Sequence, residues 1–445
     1  MRRLIYFFSL LAVILPTVSY AREDYYAISL SKHPFLADNN ESTSTANTTR
    51  IALRNLGNVK YVINGAFDGS KLPFQATFDT STPSSWVSVN SDEVSMLSPS
   101  NLSNISPINQ GQLSTFTYQN TILRGFYRTT DLNIGGVIAK NHRLFLNMSS
   151  PSNSPVYSSG HTGVIGLGLS NPSEAPSLLD SLKTEGKIGK KIMGIYLEDN
   201  PNGWNTTNSE IIIGGVNPSK FSNEIKYFDL AGTNKWEIPL KNLTFGELSL
   251  ISDTNNKEQA SNYTALVDSS SSNLLLPRAF INKIISYLKY KNGIICLYSN
   301  EDVPQCLCPL NELEQFPDII FAFQNETLTL RSTDYVERKG TRCELQVNAL
   351  ESYQDETQIR LGEVFMRSFY TVLNAEKMKV GFAPARHPGR QPFSIWNAAY
   401  IAFVCIICIM IVVFFLMLIK NLCDFRKKEN EPVFSRNAAT AGLLR

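Results

Sequence analysis

Two short stretches, far apart in the chain, share one layout. "FDTSTPSSWV" runs from Phe78 to Val87, and "ALVDSSSSNLLLP" runs from Ala265 to Pro277. In each, an apolar run ends in an aspartate, Asp79 or Asp268, followed by small hydroxyl residues. Each half then returns with an apolar segment and a glycine: Val164, Ile165 and Gly166 in the first, Leu361 and Gly362 in the second. Singly, Asp-Thr-Ser and Asp-Ser-Ser are ordinary turn sequences. Repeated with the same surroundings, they predict two similar lobes. Each lobe places one aspartate at a strand-to-turn junction and one glycine close behind it. Lobes that face each other bring both carboxylates to a shared cleft.

The rest of the chain fits an all-β body. The 445 residues are enough for two domains of ordinary size. Short β-type runs such as "KYVINGAFDG", "TDLNIGG" and "EIIIGGV" alternate with Gly, Asn and Pro turns. Helical periodicity is confined to "SEAPSLLDSLKTEG" and "PRAFINKIISYLKYKNG", each closed by a glycine. A formal net charge of +2 without a basic stripe gives no reason to expect a nucleic-acid partner.

Both ends read as targeting segments. Residues 1–21 carry Arg2 and Arg3, an apolar stretch and then small residues, the pattern of a cleaved signal peptide; an uncleaved anchor is the alternative. Residues 398–419 are uncharged and long enough to span a bilayer. Lys420, Arg426, Lys427 and Lys428 follow, which puts residues 420–445 on the cytoplasmic side. The expectation is a single-pass type I membrane protein with its bulk lumenal or extracellular. Nine N-x-S/T sequons, at Asn40, Asn47, Asn101, Asn104, Asn147, Asn205, Asn242, Asn262 and Asn325, all precede the span and predict a glycoprotein. Cys296, Cys306, Cys308 and Cys343 lie on the same side and predict two disulfides. Cys405, Cys408 and Cys423 lie in or beside the span, as lipidation sites or as buried apolar residues. The scattered histidines, His33, His142, His161 and His387, form no metal pattern, so neither a metal nor a cofactor is expected.

Two carboxylates about 3 Å apart share one proton, because both cannot ionise easily. The ionised partner takes a proton from a trapped water, and the protonated partner gives one to a carbonyl oxygen. Thr80 and Ser269 are placed to bond across the lobes and tie the two loops together. Thr82 and Ser271 are placed to bond the outer carboxylate oxygens.

From about Lys60 to Ala385 the chain resembles the pepsin-like aspartic proteases. The family's signature, Asp-Thr-Gly-Ser followed by Trp, is matched at Asp79 and Trp86, and its second signature at Asp268. "TYQNTILRGFYRTTDLNIGG" is similar to the family's flap hairpin, with Tyr118 at the flap tyrosine, Gln119 after it and Gly125 in the returning strand. "LGEVFMRSFYTVLNAEKMKVGFAPA" resembles the closing strands. The resemblance implies a bilobal, mostly β fold with a deep inter-lobe cleft and a monomeric endopeptidase. Asp79 and Asp268 would be its catalytic pair, with peptide or protein substrates. It implies a bridge from Cys308 (or Cys306) to Cys343, with Cys296 taking the remaining partner. The domains expected are a leader or prosegment over 22–52, an N-terminal lobe over 53–225, a C-terminal lobe over 226–386 and a linker over 387–397. Subsites lined by Trp86, Ile122 and Phe126 would favour apolar side chains.

The chain departs from the family at three kinds of position. Ser81 and Ser270 replace the glycine at the third position of both signatures. Gln119 and Thr121 replace two flap glycines, and Glu363 stands where the family usually has Asp. A hydroxymethyl group at Ser81 or Ser270 either shifts an aspartate or excludes the water. The alternative expectation is therefore a pepsin-fold protein that binds peptides at the membrane without turnover.

Overall fold

Strict alternation of buried and half-buried side chains along Thr49–Leu56 marks a strand with one face on the core, which receives Ile51 and Leu53. The same period-two pattern recurs along Glu237–Phe245 and Ile319–Phe323. The computed structural model describes residues 48–56, 60–67, 73–89, 113–149, 162–170, 176–199, 204–251, 262–299, 303–308, 313–351, 355–387, 406–407 and 409–422. Its described residues are mostly β: a 13-stranded sheet, an 8-stranded sheet and a 4-stranded sheet.

The predicted duplication is visible in the pairing. In the first half, Pro73–Asp79 runs parallel to Gly163–Gly166, with Asp79 opposite Gly166. Gly163–Gly166 also pairs antiparallel with Ser85–Ser88, which runs parallel to Val137–Asn147. In the second half, Thr264–Val267 runs parallel to Gln358–Leu361, with Val267 opposite Leu361. Gln358–Leu361 then pairs antiparallel with Leu274–Leu276, which runs parallel to Val347–Ala349. The two glycines are required sterically. A Cβ on Gly166 would lie 2.5 Å from the Pro83 carbonyl carbon, and one on Gly362 would lie 2.1 Å from the Asn273 carbonyl oxygen.

The expected domain limits are crossed in two places. The body begins earlier than residue 53, because Thr49–Leu56 pairs with Trp204–Ile213 inside the large sheet. The closing strands Phe369–Asn374 and Lys379–Pro384 join the first-half sheet rather than the second. Every residue of Phe369–Asn374 is buried, so the strand needs neighbours on both edges and finds one in Ile192–Tyr196. Both predicted helices form, as Leu178–Thr184 with Ser177 at its N-cap and as Arg278–Lys291. Gly186 and Gly293 follow them in the left-handed region, at φ 67° each.

Cys296 is bonded to Cys306 and Cys308 to Cys343, which selects the first of the two pairings left open. The Asn147 sequon is closed: this side chain is fully buried, donating to Ser88 Oγ at 3.0 Å and accepting from the Ser149 amide at 3.1 Å. Asn262 and Asn325 are exposed. Residues 409–422 are helical, with exposed apolar side chains. Among the described residues no helix is long and apolar enough to cross a membrane. The expected span lies partly outside them, at 398–405 and 408, as do residues 1–47, Cys405, Cys408, Cys423 and the tail beyond 422.

Candidate active site

Each aspartate closes a buried parallel strand and is itself buried, Asp79 at 1% exposure and Asp268 at 0%. The loops that follow are tied together reciprocally, as expected. The Thr80 amide donates to Ser269 Oγ and the Ser269 amide to Thr80 Oγ1, both at 3.1 Å. Each hydroxyl then donates to a carbonyl of the facing half, Thr80 to Val267 at 2.7 Å and Ser269 to Phe78 at 3.0 Å. All four groups are buried and satisfied, so the network fixes the approach of the two halves.

The carboxylates do not use the partners expected of them. Thr82 Oγ1 accepts from the Ser84 amide at 3.2 Å, and Ser271 Oγ donates to the Asn273 carbonyl at 2.8 Å. Neither reaches an aspartate. Ser81 and Ser270 do instead. The Ser81 amide and hydroxyl both donate to Asp79 Oδ1, at 2.7 and 2.6 Å. The Ser270 amide and hydroxyl both donate to Asp268 Oδ1, at 3.1 and 2.5 Å. The backbone turn already aims both atoms of each serine at the same oxygen. A glycine would supply only the amide.

The remaining oxygen of each aspartate has a different partner. Tyr118 donates its phenol to Asp79 Oδ2 at 2.9 Å. Arg360 donates from Nη1 to Asp268 Oδ2 at 2.8 Å in an ion pair. Tyr118 stands at the end of Ser114–Tyr118, in a hairpin whose two turn residues, Gln119 and Asn120, are both left-handed (φ 43° and 62°). Its ring packs edge-on against Trp86, with centroids 5.6 Å apart. Burial pushes the phenol well above its ordinary range, and the negative charge of Asp79 adds to this. Burial also raises Asp79 to about 6, with the Asp268 charge second and the Ser81 and Tyr118 bonds opposing. Glu363 is buried behind the second loop and raised to about 7 by desolvation, with Lys60 and Arg367 opposing.

A cavity of about 550 Å³ lies under the hairpin, walled by Asp79, Ser81, Phe116, Tyr118, Tyr127 and Arg360. The expected subsite walls do not line it. Trp86 is fully buried in the core, Ile122 is 62% exposed on the hairpin, and Phe126 packs on the main core. Strand alternation gives the reason: Phe116 and Tyr118 share one face of their strand, and Tyr127 points opposite to Phe126. Arg360 was not singled out in the sequence, although one cation between Ile359 and Leu361 in a buried strand was the available signal. Among the described residues no group of three or more His, Cys, Asp or Glu is placed to hold a metal ion.

Comparison with known proteins agrees with this geometry. Residues 69–385 match the family described as eukaryotic aspartyl protease. The chain is 24% identical to renin-2 of Mus musculus over 61% of its own length and 65% of that protein's, just under two thirds. It is 24% identical to pepsin-2B of Gadus morhua over 70% of this chain and 92% of that protein. Pepsin B of Canis lupus familiaris is 26% identical over 70% and 77% respectively. With the family match covering well over half of its residues, the chain belongs to the eukaryotic aspartyl protease family.

Proposed function

We propose that the protein is an aspartic endopeptidase that hydrolyses peptide bonds with a water activated by Asp79 and Asp268. The observation that carries this reading is the reciprocal Thr80–Ser269 tie between the loops of two buried aspartates, Asp79 lining a cavity under the hairpin tyrosine and Asp268 bonded to Arg360 of the same cavity wall. An extended peptide lies under the hairpin, its scissile carbonyl facing the pair. One carboxyl donates a proton to the carbonyl oxygen while the other takes one from water, with no covalent intermediate. Asp79 keeps its proton up to about pH 6, so turnover falls as pH rises through that value. We further propose that residues 398–419 anchor the protein as a single-pass type I membrane protein, that residues 1–21 are a signal peptide followed by a leader over 22–52 whose last residues enter the first strand, and that the exposed sequons Asn262 and Asn325 carry glycans. The protein works as a monomer, since each half of the pair comes from the same chain.

One observation favours a second reading, a peptide-binding protein without turnover. Each aspartate already accepts three hydrogen bonds, one of them from a serine hydroxyl where glycine is usual. Cleavage of a mixed peptide library by the full-length protein between pH 2.5 and 7.5 decides between the two, with Asp79→Asn alongside. The endopeptidase reading expects acid-favoured cleavage that drops at least ~10³-fold in the variant. A folded protein that binds library peptides and cleaves none supports the second reading.

A further inference from the structure

The two carboxylates are matched in their first two donors and differ in the third. On Asp79 the third donor is a neutral phenol; on Asp268 it is a guanidinium at 2.8 Å. Arg360 enters from the strand Gln358–Leu361, opposite Leu266, and reaches the cavity beside the pair. Its side chain is 21% exposed against 1% for that of Asp268, so the ion pair is mostly shielded from water.

We propose that Arg360 is a positioning residue that assigns the roles of the pair, holding negative charge on Asp268 as the standing base and leaving the shared proton on Asp79 as the acid. The inference rests on the endopeptidase reading for its chemical consequence, but the charge assignment can be read without turnover. An opposite charge in hydrogen-bond contact favours the ionised form of a carboxylate, and a phenol does so less. The other charged groups near Asp268 do not supply this asymmetry. Lys60 donates to the Ser270 carbonyl at 3.3 Å rather than to a carboxylate. Lys60 and Arg367 act on buried Glu363, whose own charge opposes negative charge on Asp268. Asp79 and Tyr118 complete the set, from the facing loop and the hairpin. The elevation of Asp79 to about 6, caused first by burial and then by the charge on Asp268, agrees with this direction.

In the reaction, Asp268 takes a proton from water as the water oxygen bonds to the carbonyl carbon. The proton on Asp79 passes to the carbonyl oxygen as the π bond opens, giving a gem-diol. On collapse, Asp268 returns its proton to the amide nitrogen as the C–N bond breaks. Asp79 recovers a proton from a diol hydroxyl, so the starting protonation state is regenerated.

Carboxyl-labelled aspartate NMR on the full-length protein tests the assignment directly. The signal that titrates near pH 6 is expected to disappear in Asp79→Asn and, in Asp268→Asn, to persist but move to lower pH, because the charge on Asp268 no longer raises it. Survival of that signal in Asp79→Asn overturns the proposal whether or not the protein cleaves peptides. A pH profile of kcat/KM then tests Arg360. In Arg360→Leu both limbs are expected to move up by about one pH unit, with kcat down about tenfold, KM within about twofold, and the wild-type profile restored by Arg360→Lys. Unmoved limbs in a folded Arg360→Leu protein, or an effect confined to KM, overturn the proposal. If Arg360→Leu does not fold, Arg360→Gln carries the same comparison. If the wild type cleaves nothing, the endopeptidase reading fails and the NMR titration still decides the charge assignment.

Discussion

The two half-sites are copies that have been finished differently. Each has a parallel strand ending at an aspartate, a close-approach glycine behind the loop and a serine donating twice to Oδ1. The first half completes its aspartate from above, with a tyrosine at the end of a hairpin that walls the cavity. The second completes its aspartate from below, with an arginine rooted in a core strand. A group on a hairpin can be withdrawn on binding, whereas a group on a buried strand cannot. The local field of Asp268 is therefore set by a core strand, and that of Asp79 by the position of the hairpin. The lobes around the halves differ in the same spirit. The second carries both disulfides, and the first carries a buried histidine and no cysteine.

The largest expected effect separates the lobes by redox state. The Cys308–Cys343 bridge spans 35 residues, and the chain-entropy relation gives it about 4 kcal/mol. Double substitution to serine is expected to lower the free energy of unfolding by about that amount, measured by denaturant titration. Amide exchange should show the loss first in the second lobe. A uniform loss across both lobes would mean that the shared sheet couples them into one unfolding unit. Acid should act on the other lobe. His142 is buried against Ser85 and Ser181, and burial pulls it down to about 4. The unfolded chain binds this proton near 6.5 and the folded chain only near 4. Stability is therefore expected to fall as pH drops between those values, by about 3 kcal/mol in all, and to level off below. His142→Gln should remove that part of the pH dependence, measured as the difference between the two denaturation profiles.

The duplicated Asp-hydroxyl pattern made the mostly β fold and its internal repeat legible, because an apolar strand, an acid and a returning glycine occur in order twice. Tyr118 was legible only through the resemblance of its hairpin to the family's flap. The roles of the hydroxyls were not. Thr80 and Ser269 lie where the pattern puts them, but Thr82 and Ser271 bond their own loops, and Ser81 and Ser270 take the carboxylates. Which hydroxyl of a Ser/Thr run faces an acid depends on the dihedral angles of a turn, which residue types do not set. Arg360 stayed hidden because its partner is 92 residues away and only sheet register brings them together. The closing strands joined the opposite sheet for an equally non-local reason, a strand buried along its whole length.

Two smaller effects sharpen the comparison at the site itself. Tyr118→Phe keeps the ring against Trp86 and removes only the phenol that donates to Asp79. About tenfold loss in kcat is expected, and the upper limb of the pH profile should rise, because that bond lowers Asp79. Ser81→Gly removes the hydroxyl but leaves the amide donor in place. Losing a bond that favours the ionised form raises Asp79 further above about 6. The upper limb is expected to move up by roughly half a pH unit, with little change in kcat at its optimum. Ser270→Gly acts on the carboxylate that also has Arg360, and there the guanidinium remains when the hydroxyl is gone. It is expected to leave the upper limb where it is. Equal shifts in the two variants would show that the pair titrates as one unit whose proton has no fixed side. Unequal shifts, with Ser81 the larger, would show that the fold has made two similar aspartates into a defined acid and a defined base.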